Sequence, residues 1–214
     1  AGPHPHRGAG PHPHRGAEPM TRLVLLRHGR TPAAAERRLK GRLDVPLSEA
    51  GRAEIEAWRL PEEAAGARWY TSPLGRARET AAILGVAAGV EARLTEMDWG
   101  QWEGRSLAEL GVDDPDGLAA NEARGLDFRP PGGESPRQVQ ARVRPWLAEV
   151  AAGGGVVAAV SHKGVIRAVI GLATDWDFLG EPPVKIDFGC AQVFELAADG
   201  RPKVVRLNVP LGAP

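Results

Sequence analysis

Arg27, His28 and Gly29 close an apolar run, Leu23-Val24-Leu25-Leu26, and Ser161-His162 closes a second one, Val156 to Val160. Of the six histidines, four (His4, His6, His12, His14) fall in a repetitive N-terminal stretch, which leaves His28 and His162 as candidates for chemistry. A neutral imidazole is a competent nucleophile toward phosphorus, and a pKa of about 6.5 keeps it available near neutral pH. Arg27 adjoins His28, and Arg76 follows Ser72-Pro73 closely. The planar fork of arginine matches phosphate or carboxylate oxygens, so the two predict an anion pocket with a phosphoryl group as its natural occupant. Such a reaction also needs an acid for the leaving oxygen. The loop carboxylates Glu96, Asp98 and Glu103 are the candidates.

These residues need elements that deliver them to one place. The run before Arg27 reads as a buried strand, and in open α/β sheets ligands bind beyond the carboxyl ends of strands. Thr31 to Pro46 reads as a loop or short irregular helix; Ser48 caps a helix from Glu49 to Leu60. A second strand covers Ala67 to Thr71, and Ser72-Pro73 opens a helix from Leu74 to Leu84. Residues 91 to 104 read as loop and 105 to 134 as a lid of short helical pieces. Ser135-Pro136-Arg137-Gln138 forms a capping box ahead of a helix that Gly153 to Gly155 stops. A strand at 156 to 161, a helix at 165 to 173 and strands at 184 to 196 and 203 to 208 complete the chain. The alternation predicts an α/β fold, a three-layer sandwich whose mostly parallel sheet has helices on both faces and an antiparallel terminal segment at one edge.

Of the 214 residues, 43% are hydrophobic, enough for one well-buried domain, expected over 20–214. Lysine plus arginine equal aspartate plus glutamate at 27 each, so no overall field favours nucleic acid or a membrane surface. No apolar run reaches the roughly 20 residues that span a bilayer, and one cysteine, Cys190, precludes an internal disulfide. A cytoplasmic protein is expected. Ala-Gly-Pro-His-Pro-His-Arg-Gly at 1 to 8 recurs at 9 to 16, and 1–19 reads as a disordered His/Pro-rich leader ahead of Met20 as natural start.

Arg-His-Gly at 27 to 29, Ser-Pro-Leu-Gly-Arg-Ala-Arg-Glu-Thr at 72 to 80, Leu-Thr-Glu at 94 to 96 with Gly-Gln-Trp-Glu-Gly at 100 to 104, Pro-Gly-Gly-Glu-Ser at 131 to 135 and Ser-His-Lys-Gly at 161 to 164 together resemble the histidine phosphatase superfamily, the phosphoglycerate mutase-like proteins. The resemblance spans about residues 21 to 209. It implies that His28 is a nucleophile that becomes transiently phosphorylated, that Arg27 and Arg76 grip the phosphoryl oxygens, that His162 lies across the pocket, and that Glu96 serves the leaving group. Thr31, Gly41 and Lys163 are candidate substrate-binding residues. Neither metal nor cofactor is expected, since the arginines would repel a divalent cation.

Two positions depart from the family pattern. Ala33-Ala34 stand where relatives carry Trp-Asn, with Thr31, Arg30 or Arg42 as candidates to replace the lost donor; Lys163 stands where many relatives have glycine. The expected activity is a phosphomonoesterase acting on a small phosphorylated metabolite. A phosphoglycerate mutase-type transfer and a weakly active anion-binding module are the alternatives. Ser161 follows Gly104 by only 57 positions, a shorter insertion than the mutases of this superfamily carry, which favours the hydrolase.

Overall fold

The computed structural model describes residues 20–212; the leader at 1–19, with its expected disorder, lies outside the described residues. One six-stranded sheet has the order β3-β2-β4-β1-β5-β6, built from β1 (Thr21–Arg27), β2 (Arg68–Thr71), β3 (Ala88–Val90), β4 (Val156–Ser161), β5 (Ala191–Leu196) and β6 (Pro202–Val209). Strands β3, β2, β4 and β1 run parallel, whereas β5 pairs antiparallel with both β1 and β6. Side chains alternate across a strand, and β1 is buried on both faces. Leu23 and Leu25 meet α6 (Pro136–Gly153) and α7 (Lys163–Thr174) through Val143, Leu147, Ile166 and Ile170. Val24 and Leu26 point the other way, into a cluster with Ala64, Val193 and Leu211. α3 (Gly75–Ile83) extends that second layer, packing Ala77 and Ala81 on Val160.

The sheet register aligns the functional ends. Arg27 lies opposite Ser161, and Thr71 opposite Val160. The ladder continues one residue past the strands: His28 N–H donates to Ser161 O at 3.0 Å and Ser72 N–H to Val160 O at 3.0 Å. His28, Ser72 and His162 therefore leave three adjacent strands at the same edge. The expected capping box is present, with Ser135 Oγ accepting from Gln138 N, Gln138 bonding back, and Pro136 in the first turn.

Several boundaries differ from expectation. The sequence does not announce β3, because Ala-Gly-Val is three residues long and its central glycine disfavours a strand. The helix at Glu49, α2 (Glu49–Ala57), ends before Leu60 because Trp58 turns extended (ψ 144°). Helix α3 begins at Gly75, after Pro73, because the Asp44 carboxylate accepts the Gly75 N–H at 2.8 Å. Residues 184 to 190 are not strand: Asp187 Oδ1 accepts from Gly189 N, closing a local turn. The predicted lid contains α4 (Leu107–Asp113) and α5 (Pro115–Glu122); the short α1 is Ala33–Glu36.

Candidate active site

Above the strand ends lies a cavity of about 1180 Å³ lined by Arg27, His28, Arg76 and Glu96 on one side and by Trp99, Phe128, Lys163, Arg167, Phe178 and Phe188 on the other. The two imidazole rings sit 5.1 Å apart at 56°. His28 Nδ1 is 2.7 Å from Gly29 O, which can only accept, so Nδ1 carries the proton and Nε2 keeps its lone pair. Arg76 Nε donates to that Nε2 at 3.2 Å. Burial, then the charges of Arg27, Arg76 and Lys40, hold the His28 pKa well below the ordinary imidazole value, against a smaller opposing pull from Gly29 O. His28 is thus neutral at pH 7, with a directed lone pair. His162 Nε2 lies 2.7 Å from Ser72 Oγ, and its pKa is likewise depressed, by burial first and then by His28 and the arginines.

Arg76 is 1% exposed, at the start of α3, and its fork is fixed by backbone: Nη1 donates to Leu43 O at 2.6 Å and Nη2 to Gly41 O at 2.8 Å. Gly41 has φ +49°, in the left-handed region that favours glycine, and presents its carbonyl to Arg76. Glu96 Oε1 accepts from Met97 N at 2.8 Å and from Gly164 N, in the first turn of α7, at 2.9 Å. Burial raises the Glu96 pKa despite these donors and the nearby arginines, which favours the protonated carboxyl and suits Glu96 to donate a proton.

Among the described residues, four buried side-chain nitrogens and oxygens lack a partner, and two of them, Arg27 Nε and His162 Nδ1, belong to this site. Buried polar atoms are costly when unpaired, so these positions are suited to an incoming ligand. No group of three or more His, Cys, Asp and Glu side chains able to hold a metal occurs among the described residues. No helix there is long and apolar enough to cross a membrane.

A family profile for the histidine phosphatase superfamily (branch 1) matches residues 23–210. The chain belongs to this superfamily. A bifunctional protein of Mycobacterium tuberculosis is 35% identical over 88% of the chain, which spans 54% of that relative. The chain thus covers about half the length of the curated relatives it matches there. A glucosyl-3-phosphoglycerate phosphatase of M. tuberculosis is 37% identical over 69% of the chain and 73% of its own length. Among solved structures, a mycobacterial glucosyl-3-phosphoglycerate phosphatase in complex with inorganic phosphate superposes with a TM-score of 0.75, at 29% identity, over 90% of this chain and 99% of that one.

Within this histidine phosphatase fold, the five principal candidates from the sequence, Arg27, His28, Arg76, Glu96 and His162, all come together. Asp98 and Glu103 do not compete with Glu96: Asp98 pairs with Arg42 and accepts from Gly100 N, and Glu103 accepts from Arg42 N. Thr31 does not line the cavity; its hydroxyl donates to Glu36 Oε1 at 2.6 Å. Gly41 orients Arg76 through its carbonyl, while Lys163 does face the cavity. The suggested replacements for the absent asparagine fail on geometry. Arg30 is exposed toward Glu54, and Arg42 turns to Asp98 and Glu134.

What the sequence reading missed is a pair on and after α1. Glu36 binds Arg27 Nη2 at 3.0 Å, and Lys40 Nζ lies 3.4 Å from Glu36 Oε1 while lining the cavity beside His28. Burial alone would raise the Glu36 pKa, but the Thr31 hydroxyl and Arg27 outweigh it and hold this carboxyl far below its usual range. Lys40, with burial depressing its pKa, lines the same cavity as Ala34 and His28, and its charge acts on His28. The i,i+4 spacing of Glu36 and Lys40 was the available signal.

Proposed function

We propose that the protein is a metal-independent phosphomonoesterase that cleaves a small phosphorylated metabolite through a phosphohistidine. His28 Nε2 attacks phosphorus, forming the N–P bond as the ester P–O bond breaks, and Glu96 delivers its proton to the departing oxygen. Water then attacks the phosphohistidine, gives a proton to Glu96, and releases inorganic phosphate with the imidazole restored. Arg27, Arg76 and His162 hold the charge on the phosphoryl oxygens, and Lys40 supplies the cation that offsets the missing asparagine. Positioning does most of the work, since the donors are already fixed before substrate arrives.

The observation that carries this reading is the pair of unpartnered buried nitrogens, Arg27 Nε and His162 Nδ1, flanking a neutral His28. A phosphoryl group would satisfy both. Hydrolysis is favoured over mutase-type transfer because the cavity mouth is open: Lys163 and Glu181 are exposed and Leu107 is 49% exposed, which leaves water a route to the phosphohistidine. The test is turnover of an aryl phosphate with and without chelator, together with trapping of labelled enzyme in wild type and His28→Ala. Chelator-insensitive turnover and label that disappears in the variant are expected. Label that persists in His28→Ala would remove the nucleophile assignment, and wild type without turnover at any pH would leave an anion-binding module.

A further inference from the structure

Ser72 and His162 follow the adjacent parallel strands β2 and β4. Thr71 lies opposite Val160 and Ser72 N–H donates to Val160 O at 3.0 Å, so the register carries the serine side chain beside the imidazole that follows Ser161. Both residues are fully buried, at 0% exposure. Pro73 disfavours a helical backbone at Ser72, and Leu74 N–H donates to Ser72 Oγ at 3.3 Å, closing a turn that fixes the hydroxyl. Oγ then meets His162 Nε2 at 2.7 Å.

The direction of that hydrogen bond follows from counting. A serine hydroxyl has one hydrogen and two lone pairs; a neutral imidazole, as burial makes His162, has one N–H and one lone pair. Leu74 N–H can only donate, so it takes a serine lone pair and leaves the hydroxyl hydrogen to be placed. Among the described residues His162 Nε2 is the acceptor bonded to Oγ. Were Nε2 protonated instead, the serine hydrogen and the Nδ1 lone pair would both be buried without a partner. With Nε2 accepting, Nδ1–H alone is left over, and Nδ1 is one of the unpartnered buried atoms of this site. His28, with its ring 5.1 Å away, also carries its proton on Nδ1, but there Gly29 O accepts it. Two imidazoles in the same tautomer are thus anchored at opposite nitrogens. One keeps a lone pair for phosphorus, the other an N–H.

We propose that Ser72 is a positioning residue that sets the tautomer of His162, so that Nδ1–H donates to a phosphoryl oxygen. A lone pair at Nδ1 would meet that anion repulsively, and the serine hydroxyl disfavours this state before substrate arrives. The donor role rests on the phosphatase reading above, whereas the tautomer does not.

The test reads the imidazole nitrogen NMR shifts of isotope-labelled wild type, Ser72→Ala and Ser72→Thr at pH 7, with His162→Gln identifying the resonances, beside turnover of phenyl phosphate. In wild type His162 should show a protonated Nδ1 and a bare Nε2, and inorganic phosphate should shift the Nδ1–H resonance while Nε2 stays bare. Ser72→Ala should move part of the population to Nε2–H, lower kcat/KM by roughly tenfold, the size of one hydrogen bond to a charged group, and weaken inhibition by inorganic phosphate several-fold. Ser72→Thr, which keeps the hydroxyl, should restore both. Should Ser72→Ala fail to fold, Ser72→Cys, with its weaker donor, takes its place. A proton on Nε2 in wild type overturns the proposal without any variant, and so does a variant that loses turnover while the ring proton stays on Nδ1. A tautomer that shifts with turnover and phosphate inhibition unchanged overturns the donor role. Wild type without turnover of the ester removes the phosphatase reading and the donor role with it, while the ring proton still decides whether Ser72 sets the tautomer.

Discussion

At the strand-end side of the cavity three of the polar groups are anchored to backbone. Arg76 is clamped by the carbonyls of Leu43 and Gly41, His28 by Gly29 O, and Glu96 by the amides of Met97 and Gly164. At the opposite side Trp99 meets Phe128 edge-on at 5.7 Å, Phe178 stacks on Trp176, and the cations rest on rings. The first side has one permitted geometry; the second has large apolar surfaces whose shape is easily altered. A protein built this way can keep its chemistry while its choice of leaving group drifts, because substitutions on one side leave the backbone clamps of the other untouched.

The sharpest way to break this division is at Arg76. Arg76→Gln should lower kcat/KM by roughly 10² to 10³ on every ester alike, the usual loss for one fixed donor at a developing anion. A loss confined to carboxylated or bulky substrates would show that the two sides are not separable. Glu96→Gln should cost about 10²-fold on alkyl phosphates and far less on nitrophenyl phosphate, whose oxygen leaves without a proton. In wild type, kcat/KM should fall at high pH as the raised Glu96 carboxyl loses its proton, while the acid limb due to His28 lies below the ordinary imidazole pKa of 6.5. An alkaline limb that survives in Glu96→Gln would sink the acid assignment.

On the aromatic side, Phe128→Ala should raise KM by roughly three- to tenfold with kcat nearly preserved, as expected when binding common to ground and transition states is removed. A matching fall in kcat would mean that this wall positions the phosphoryl end as well. The smallest effect is on stability. His28 and His162 are neutral when folded, with pKa values below their unfolded 6.5, so the unfolded chain binds more protons as pH drops through that value. The stability from both is fully present above about pH 6.5 and declines as pH falls toward the folded pKa. The thermal midpoint should therefore drop between pH 7 and 5, and His28→Ala should flatten that slope; an unchanged slope would place the proton uptake elsewhere.

The same division explains what was legible in the sequence. His28, His162 and Arg76 end apolar runs or begin helices, where periodicity and turn chemistry announce position. The sheet's parallel core followed from the strand and helix alternation, and β4 at Val156–Ser161 matched its expected bounds. Glu96 was separable from Asp98 and Glu103 only by resemblance, since three carboxylates on one loop have the same local signature. Phe188 falls within the strand expected at 184 to 196, yet it lies at the Asp187 turn and lines the cavity. Arg167 lies within an apolar helix and gave no sign that its partners would be rings contributed by residues 176 and 178.

The contact between Arg76 Nε and His28 Nε2 also bears on chemoselectivity. The lone pair that would react is already engaged by a guanidinium N–H, so a neutral electrophile wandering into the cavity meets an occupied imidazole in a crowded, cationic recess. An anion competes for the same N–H and draws it off the ring as it arrives. In the proposed mechanism the group that recruits the phosphoryl oxygen would also be the one that exposes the nitrogen, which would tie the reactivity of His28 to the charge of its visitor.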